Sequence, residues 1–300
     1  MSNLTRSLLA GWLMAGLAVH PARADSVDES RPAAADGRIE FEAVTGDFEI
    51  VGHAAAEFRL SGELGDDVEE LVIEGDADHW KIRLEMKNGE SRGAGRGASD
   101  LRLLVPRGTD LGADTVSGDL VLRELDGPSV GARSVSGDID LAGVRPRELA
   151  VRTVSGDIVA DAGGSEVSRL QSVSGDLELG DGRGRIGVQS VSGDIGMQAS
   201  EVSEFEAETV SGDLVARLAP LARARVSVTS HSGDVELSLP SRTALRLEAE
   251  TFSGSIESGF GGERSDGFGP GEKLSLEGGA DSVEVDARSF SGNIRIRDGD

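Results

Sequence analysis

The chain has 300 residues, of which 54 are acidic and 30 basic, for a formal net charge of −24. Such a charge argues against nucleic acid and anionic membrane surfaces as partners and favours a dissolved chain. With no cysteine, disulfides, thiolate metal sites and a cysteine-linked lipid anchor are excluded, and aromatics at 3% argue against a large aromatic-lined pocket.

Residues 1–24 have the layout of a secretory leader: Arg6, an apolar run from Leu8 to Val19, then Ala22-Arg23-Ala24. Small residues at Ala22 and Ala24 predict cleavage before Asp25 and export, to the periplasm or the cell surface. The apolar run is too short to span a bilayer, and no later stretch is long and apolar enough, so no membrane insertion is expected. Residues 25–37 read as a flexible N-terminal segment.

From 38 to 110 a two-residue apolar rhythm begins: Ile39, Phe41 and Ala43, then Phe48 and Ile50, Phe58 and Leu60, Leu71 and Ile73, Ile82 and Leu84, Leu101 and Leu103. Such alternation predicts half-buried strands. We read this part as diverged first coils and cap of the architecture that follows, with Lys87 to Ser99 as a surface loop. A separate small β-domain is the competing reading.

From 111 to 300 the chain repeats. Thr115-Val116-Ser117-Gly118-Asp119-Leu120 returns eight times, with motif serines at Ser117, Ser136, Ser155, Ser174, Ser192, Ser211, Ser232, Ser253 and Ser291. The steps are 19, 19, 19, 18, 19, 21, 21 and 38 residues. This beat is too short for a helical hairpin or a propeller blade, and predicts one turn of a β-coil. The expected fold is all-β, a right-handed parallel β-solenoid of the single-stranded β-helix or β-roll kind, with about 19 residues per coil. The doubled last step suggests a coil between Gly259 and Lys273 that has degenerated into a Gly-rich loop. Alternation within a copy places Val173, Gly175, Leu177 and Leu179 on one face. Two interior columns follow: Val116, Val135, Val154, Val173, Val191, Val210, His231, Phe252 and Phe290, and Leu120, Ile139, Ile158, Leu177, Ile195, Leu214, Val235, Ile256 and Ile294. A three-residue interval from Ala249 to Phe252 predicts a bend there. Terminal coils would stack end to end unless capped.

The recurring Thr/Ser-Val-Ser-Gly-Asp-Ile/Leu after Leu103-Leu104-Val105-Pro106-Arg107-Gly108-Thr109, and the closing Ser289-Phe290-Ser291-Gly292-Asn293, resemble a bacterial "putative adhesin" domain family of unknown function. The resemblance covers most of the mature chain. It implies a β-solenoid at the cell envelope and carries over no catalytic residues.

The most conspicuous polar feature is the column Asp119, Asp138, Asp157, Asp176, Asp194, Asp213 and Asp234, continued by Ser255 and Asn293. Two carboxylates about 4.8 Å apart repel by roughly 0.9 kcal/mol in water and about 3.5 kcal/mol at an effective dielectric near 20, so something must offset the ladder. Hydrogen bonds from backbone N–H groups at a bend would do so. The alternative is a string of Ca²⁺ sites on these seven aspartates, the one cofactor the sequence offers. His53, His79 and His231 are scattered, and His231 is expected as a packed interior residue, so Ser230-His231 is not read as a catalytic pair. The second loop is read as a disordered insertion, with a binding site on Arg264, Asp266 and Lys273 as the alternative. Arg133, Arg152 and Arg288 alternate with Asp114, Glu208 and Glu250 as a solvated charge ladder. No catalytic residue is assigned. The reading is a non-enzymatic envelope scaffold, adhesin-like, that meets a protein or glycan partner with its long faces. A carbohydrate-active or calcium-dependent enzyme and an envelope-stress or regulatory accessory protein are the alternatives.

Overall fold

The computed structural model describes residues 18–21, 26–87, 98–161, 163–266 and 270–299. Every regular element among them is a β-strand, and all 25 strands join one hydrogen-bonded sheet. The repeat accounts for most of it. Strands that follow each Ser-Gly-Asp lie parallel, with Leu120 opposite Ile139, Ile139 opposite Ile158, Ile158 opposite Leu177 and Leu177 opposite Ile195. Strands that precede it form a second parallel run, in which Val130 faces Leu111 and Leu149. The core lies between the two runs, and its buried side chains form one cluster from Ala33 to Ile296. No single coil could bury its aliphatic residues, so each depends on the coils above and below.

The Leu120-to-Ile294 column is buried as the alternation predicts. The valine column is not: Val116, Val135, Val191 and Val210 are 47–49% exposed, Phe290 is 50% exposed, and His231 also faces outward. The inward position belongs to the residue before each of them, so Thr115, Ser134, Thr153, Ser172, Ser190, Thr209, Ser230, Thr251 and Ser289 form a buried hydroxyl row. Counting by twos from Leu177 through Gly175 to Val173 fails because Gly175 has φ +139°, which resets the phase of the strand. The bend therefore sits at Ser-Gly-Asp in every copy. In the Leu245–Ser253 strand, Leu245, Leu247, Ala249 and Thr251 alternate inward without a break. The opposite corner turns at Glu124, Gly143, Asp181, Glu201 and Arg223, whose φ lies between 52° and 65°. Four of these are non-glycine residues in left-handed backbone, a conformation that costs each about 1–2 kcal/mol.

Both ends depart from simple winding. The strand Val283–Ser291 lies between two others: Ser230 and Thr251 both face Ser289. The last coil in sequence is thus the penultimate coil in space. The segment expected as a degenerated coil is a hairpin, Glu263–Asp266 against Glu272–Leu276, and its second strand runs antiparallel to Leu245–Ser253. At the other end Arg38–Glu42 is likewise an inner strand, with Ile39 facing both Trp80 and Leu111. Outside it the hairpin Val68–Asp76 and His79–Met86 is antiparallel. Residues 26–32, expected within a flexible segment, pair antiparallel with Glu57–Glu63. Antiparallel cover occupies the edges where a bare parallel strand would offer its N–H and C=O groups to another chain. Phe41–Phe48 and Phe58–Trp80 edge contacts pack inside the N-terminal coils.

Most of the segment read as a leader lies outside the described residues, and Ala18–Pro21 pairs antiparallel with Val68–Asp76. The loop expected at Lys87 to Ser99 also falls largely outside them, at 88–97.

Candidate functional site

The corner sequence builds three parallel rows on the protein. The first is the glycine row, where strands approach so closely that a Cβ on Gly175 would stand 2.1 Å from the Gly156 carbonyl oxygen. Beside it runs the aspartate row. Each carboxylate accepts a hydrogen bond from the backbone N–H of the next coil's aspartate: Asp138 N to Asp119 Oδ1 at 2.9 Å, then Asp157, Asp176, Asp194, Asp213 and Asp234 N to the preceding Oδ1 at 2.8 Å each. Asn293 N donates to Asp234 Oδ1 at 2.9 Å, and Ser255 N to Asn293 Oδ1 at 3.1 Å. A neutral Asn thus fills the same acceptor role, which a carboxylate is not needed for. Among the described residues no group of three or more His, Asp or Glu gathers to hold a metal ion.

Asp234 is the most heavily bonded member of the row. Its carboxyl is held below the ordinary aspartate range, first by the Asn293 backbone N–H, then by the Asn293 amide, the charge of Arg295 and a 3.0 Å bond from Arg295 Nη1; burial opposes the shift. A depressed carboxyl contributes stability that is present above its unfolded value of about 3.9 and is lost as pH falls through the folded value. Asp234→Asn should therefore lower the melting temperature at neutral pH by an amount that shrinks as pH drops below about 4, read by thermal melts across pH.

The third row is the exposed one: Val116, Val135, Val154, Val173, Val191, Val210, His231, Phe290 and Phe252, in spatial order. At its C-terminal end the rings stack in near-parallel planes, His231 on Phe290 at 4.9 Å and Phe290 on Phe252 at 4.8 Å, each 4° apart. Beside it lie Arg152, Gln171, Gln189, Glu208, Thr229, Arg288 and Glu250, two positions earlier in each strand. Gln171 Nε2 donates to Gln189 Oε1 at 2.7 Å, and Gln189 Nε2 to Glu208 Oε2 at 3.0 Å. From Val173 to Phe252 the apolar row, the polar row and the strand between them form a groove of about 960 Å³. Singly exposed apolar residues are ordinary, whereas a contiguous apolar row along a groove marks an interaction surface.

The other sequence candidates are dispersed. Ser230 points inward, with Oγ 3.5 Å from the Gly233 carbonyl, while its neighbour His231 points outward, so the two form no catalytic pair. His53 Nε2 bonds the Glu57 carbonyl at 2.8 Å, and His79 lies 3.6 Å from Glu40. In the C-terminal hairpin Arg264 pairs with Glu272 at 3.2 Å, and Glu272 also accepts the Ile256 N–H at 2.9 Å; Lys273 faces Glu250 in register. Arg264 and Glu272 thus tie the cap to the stack, and the Asp266 side chain lies outside the described residues. Arg133 bonds Asp114 at 3.3 Å in the charge ladder.

Stacked parallel strands, a single through-going core and a corner motif repeated coil after coil define a β-solenoid-like protein. The chain belongs to the Toastrack DUF4097 family, whose sequence profile matches residues 37–230 and 202–297. No curated protein matches it. Similar solved structures include a "putative lipid binding protein" from Parabacteroides distasonis ATCC 8503, at 14% identity over 89% of this chain and 96% of that one, with a TM-score of 0.47. A "putative adhesin" from Bacteroides fragilis NCTC 9343 is 10% identical over 92% of this chain and 99% of that one, with a TM-score of 0.43. Among the described residues no helix is long and apolar enough to cross a membrane.

Proposed function

We propose that this is an exported, non-enzymatic, adhesin-like protein that binds an envelope partner through its exposed Val–aromatic row. In this reading residues 1–24 are the leader, 38–110 form the diverged first coils and cap, and 111–300 form right-handed coils of about 19 residues. The observation that carries the reading is the row itself: six valines and Phe290 are all substantially exposed in one line, and Val173, Val191, Val210 and Phe290 line one groove. Selection for solubility alone would place polar residues there, as it does on the neighbouring outward positions.

Because these side chains point away from the core, changing them should leave the fold intact. Val191→Asp should cost no more than about 1 kcal/mol, and Phe290→Ala, which gives up two ring stacks, about 1–3 kcal/mol, with both variants folded at about 25 °C. The same variants should lose at least tenfold in binding of the purified mature protein to cell-envelope fractions. Unchanged binding in both variants, with the fold retained, would remove the row from the function.

The aspartate row is read as a backbone clamp rather than a run of cation ligands, supported by the inter-coil N–H bonds to Oδ1 and by Asn293 and Ser255 completing it. The melting temperature should be the same in excess chelator and in millimolar Ca²⁺. A rise of several degrees with Ca²⁺ would reinstate the metal.

A further inference from the structure

We infer that the groove takes a neutral, linear glycan lying along the stack, an inference that rests on the adhesin-like reading above and specifies its partner. Four observations select this ligand class.

The first is charge. The whole chain carries −24, yet the charged residues that line the groove are Arg152, Arg288, Glu208 and Glu250, two of each sign. The groove is a neutral strip on a strongly acidic protein, which disfavours polyanions and gives polycations no special hold.

The second is the polar row. Gln171, Gln189 and Glu208 are linked head to tail by hydrogen bonds of 2.7 and 3.0 Å, so their donors and acceptors are already ordered before any ligand arrives. Side-chain amides and carboxylates that donate and accept side by side suit hydroxyl groups, and fixing them in advance lowers the entropy lost on binding. An acyl chain laid in the same place would strip water from this row without replacing its hydrogen bonds.

The third is the apolar row beside it. Valine methyls and the His231–Phe290 stack offer a nonpolar surface parallel to the polar one. A sugar chain has the same two-sided character, with C–H faces and hydroxyl edges. Seven coils from Arg152 to Glu250 line the groove, a length of about 29 Å at a strand spacing near 4.8 Å, so several sugars fit in line.

The fourth is the backbone. The strands Val167–Ser174, Leu177–Ser192 and Ile195–Ser211 are each hydrogen-bonded on both sides across the groove. None of these three strands offers an open edge, so an extended peptide could not add itself to them by main-chain pairing.

The test is calorimetric titration of the mature protein with cellohexaose and N-acetylchitohexaose, with the matching disaccharides, polygalacturonate and palmitate as comparison ligands. At least one neutral hexaose should bind, at least tenfold more tightly than its disaccharide. Its affinity should fall at least tenfold in both Gln189→Ala and Phe290→Ala, which should remain fully folded at the titration temperature, with a far-UV circular dichroism spectrum that matches the parent. Binding of polygalacturonate or palmitate, with neither hexaose bound, would overturn the inference. In a second arm the envelope fractions are digested with proteinase K before the binding assay. Binding that depends on Phe290 and survives digestion supports a glycan. Binding that depends on Phe290 but disappears on digestion overturns the glycan while leaving the adhesin-like reading in place, whereas binding indifferent to Phe290 removes that reading itself.

Discussion

Gly175→Ala is expected to destabilise the protein by about 3 kcal/mol or more, while Gly187→Ala, a dozen residues along, should change stability by no more than about 0.5 kcal/mol. At Gly175 the backbone has φ +139°, and a methyl group would stand 2.1 Å from one backbone oxygen of the coil below. The strain of an L-residue in that conformation costs about 1–3 kcal/mol, and the overlap adds to it, because relieving it means prising apart two coils that share a hydrogen-bonded ladder. At Gly187 nothing lies within 4 Å of the position a Cβ would take, and φ is not positive. The expected shift in melting temperature for Gly175→Ala is roughly 6–12 °C, at about 2–4 °C per kcal/mol for a chain of this class. Equal melting temperatures in the two variants would show that the glycine row is not what fixes the corner.

Removing residues 283–300 should be far more damaging than loss of a terminal coil from a simple stack. In a linear array the end unit contributes one interface. Here Val283–Ser291 pairs with Arg225–Ser232 on one side and Leu245–Ser253 on the other, so its removal opens a gap inside the stack. Val283, Val285, Ala287, Ile294 and Ile296 are all buried, and the larger four each contribute about 1.5–3 kcal/mol. The truncated chain should lose its cooperative melt over the C-terminal coils and expose Leu245–Leu276 to protease. A truncation that leaves both the melt and protease resistance of residues 245–276 intact would contradict the inserted coil.

Much of this architecture was legible in the sequence, and the errors are confined to two kinds of place. Leu120, Ile139, Ile158 and Leu177 were assignable to the core because each recurs at one phase of the same motif and begins a short alternating strand. The outward row is not legible from alternation carried across the Ser-Gly-Asp corner, because Gly175 does not continue the strand. Its signal lies in the strands before the corner. Leu245, Leu247 and Ala249 lead by twos to Thr251, Val226 and Val228 lead to Ser230, and Ile186 and Val188 lead to Ser190. Followed forward rather than backward, the rhythm puts the hydroxyl inside and the valine or phenylalanine outside. The groove exists only because that row faces outward.

The ends were not legible for a different reason. A step of 38 residues between Ser253 and Ser291 is equally consistent with a lost coil and with an excursion that returns, since spacing along the chain carries no record of which coil lies next in space.

By itself, then, the sequence determined the class of fold, the repeating parallel pairing and the aliphatic core. Those follow from periodicity, and each short coil can bury its apolar residues only against another like it. The tertiary structure alone decided which side of each corner faces water and in what order the first and last coils are stacked. The first depends on a positive φ imposed by the close approach of neighbouring glycines, and the second on the need to cover a parallel edge. Both are relations between coils, which no single copy of the motif contains.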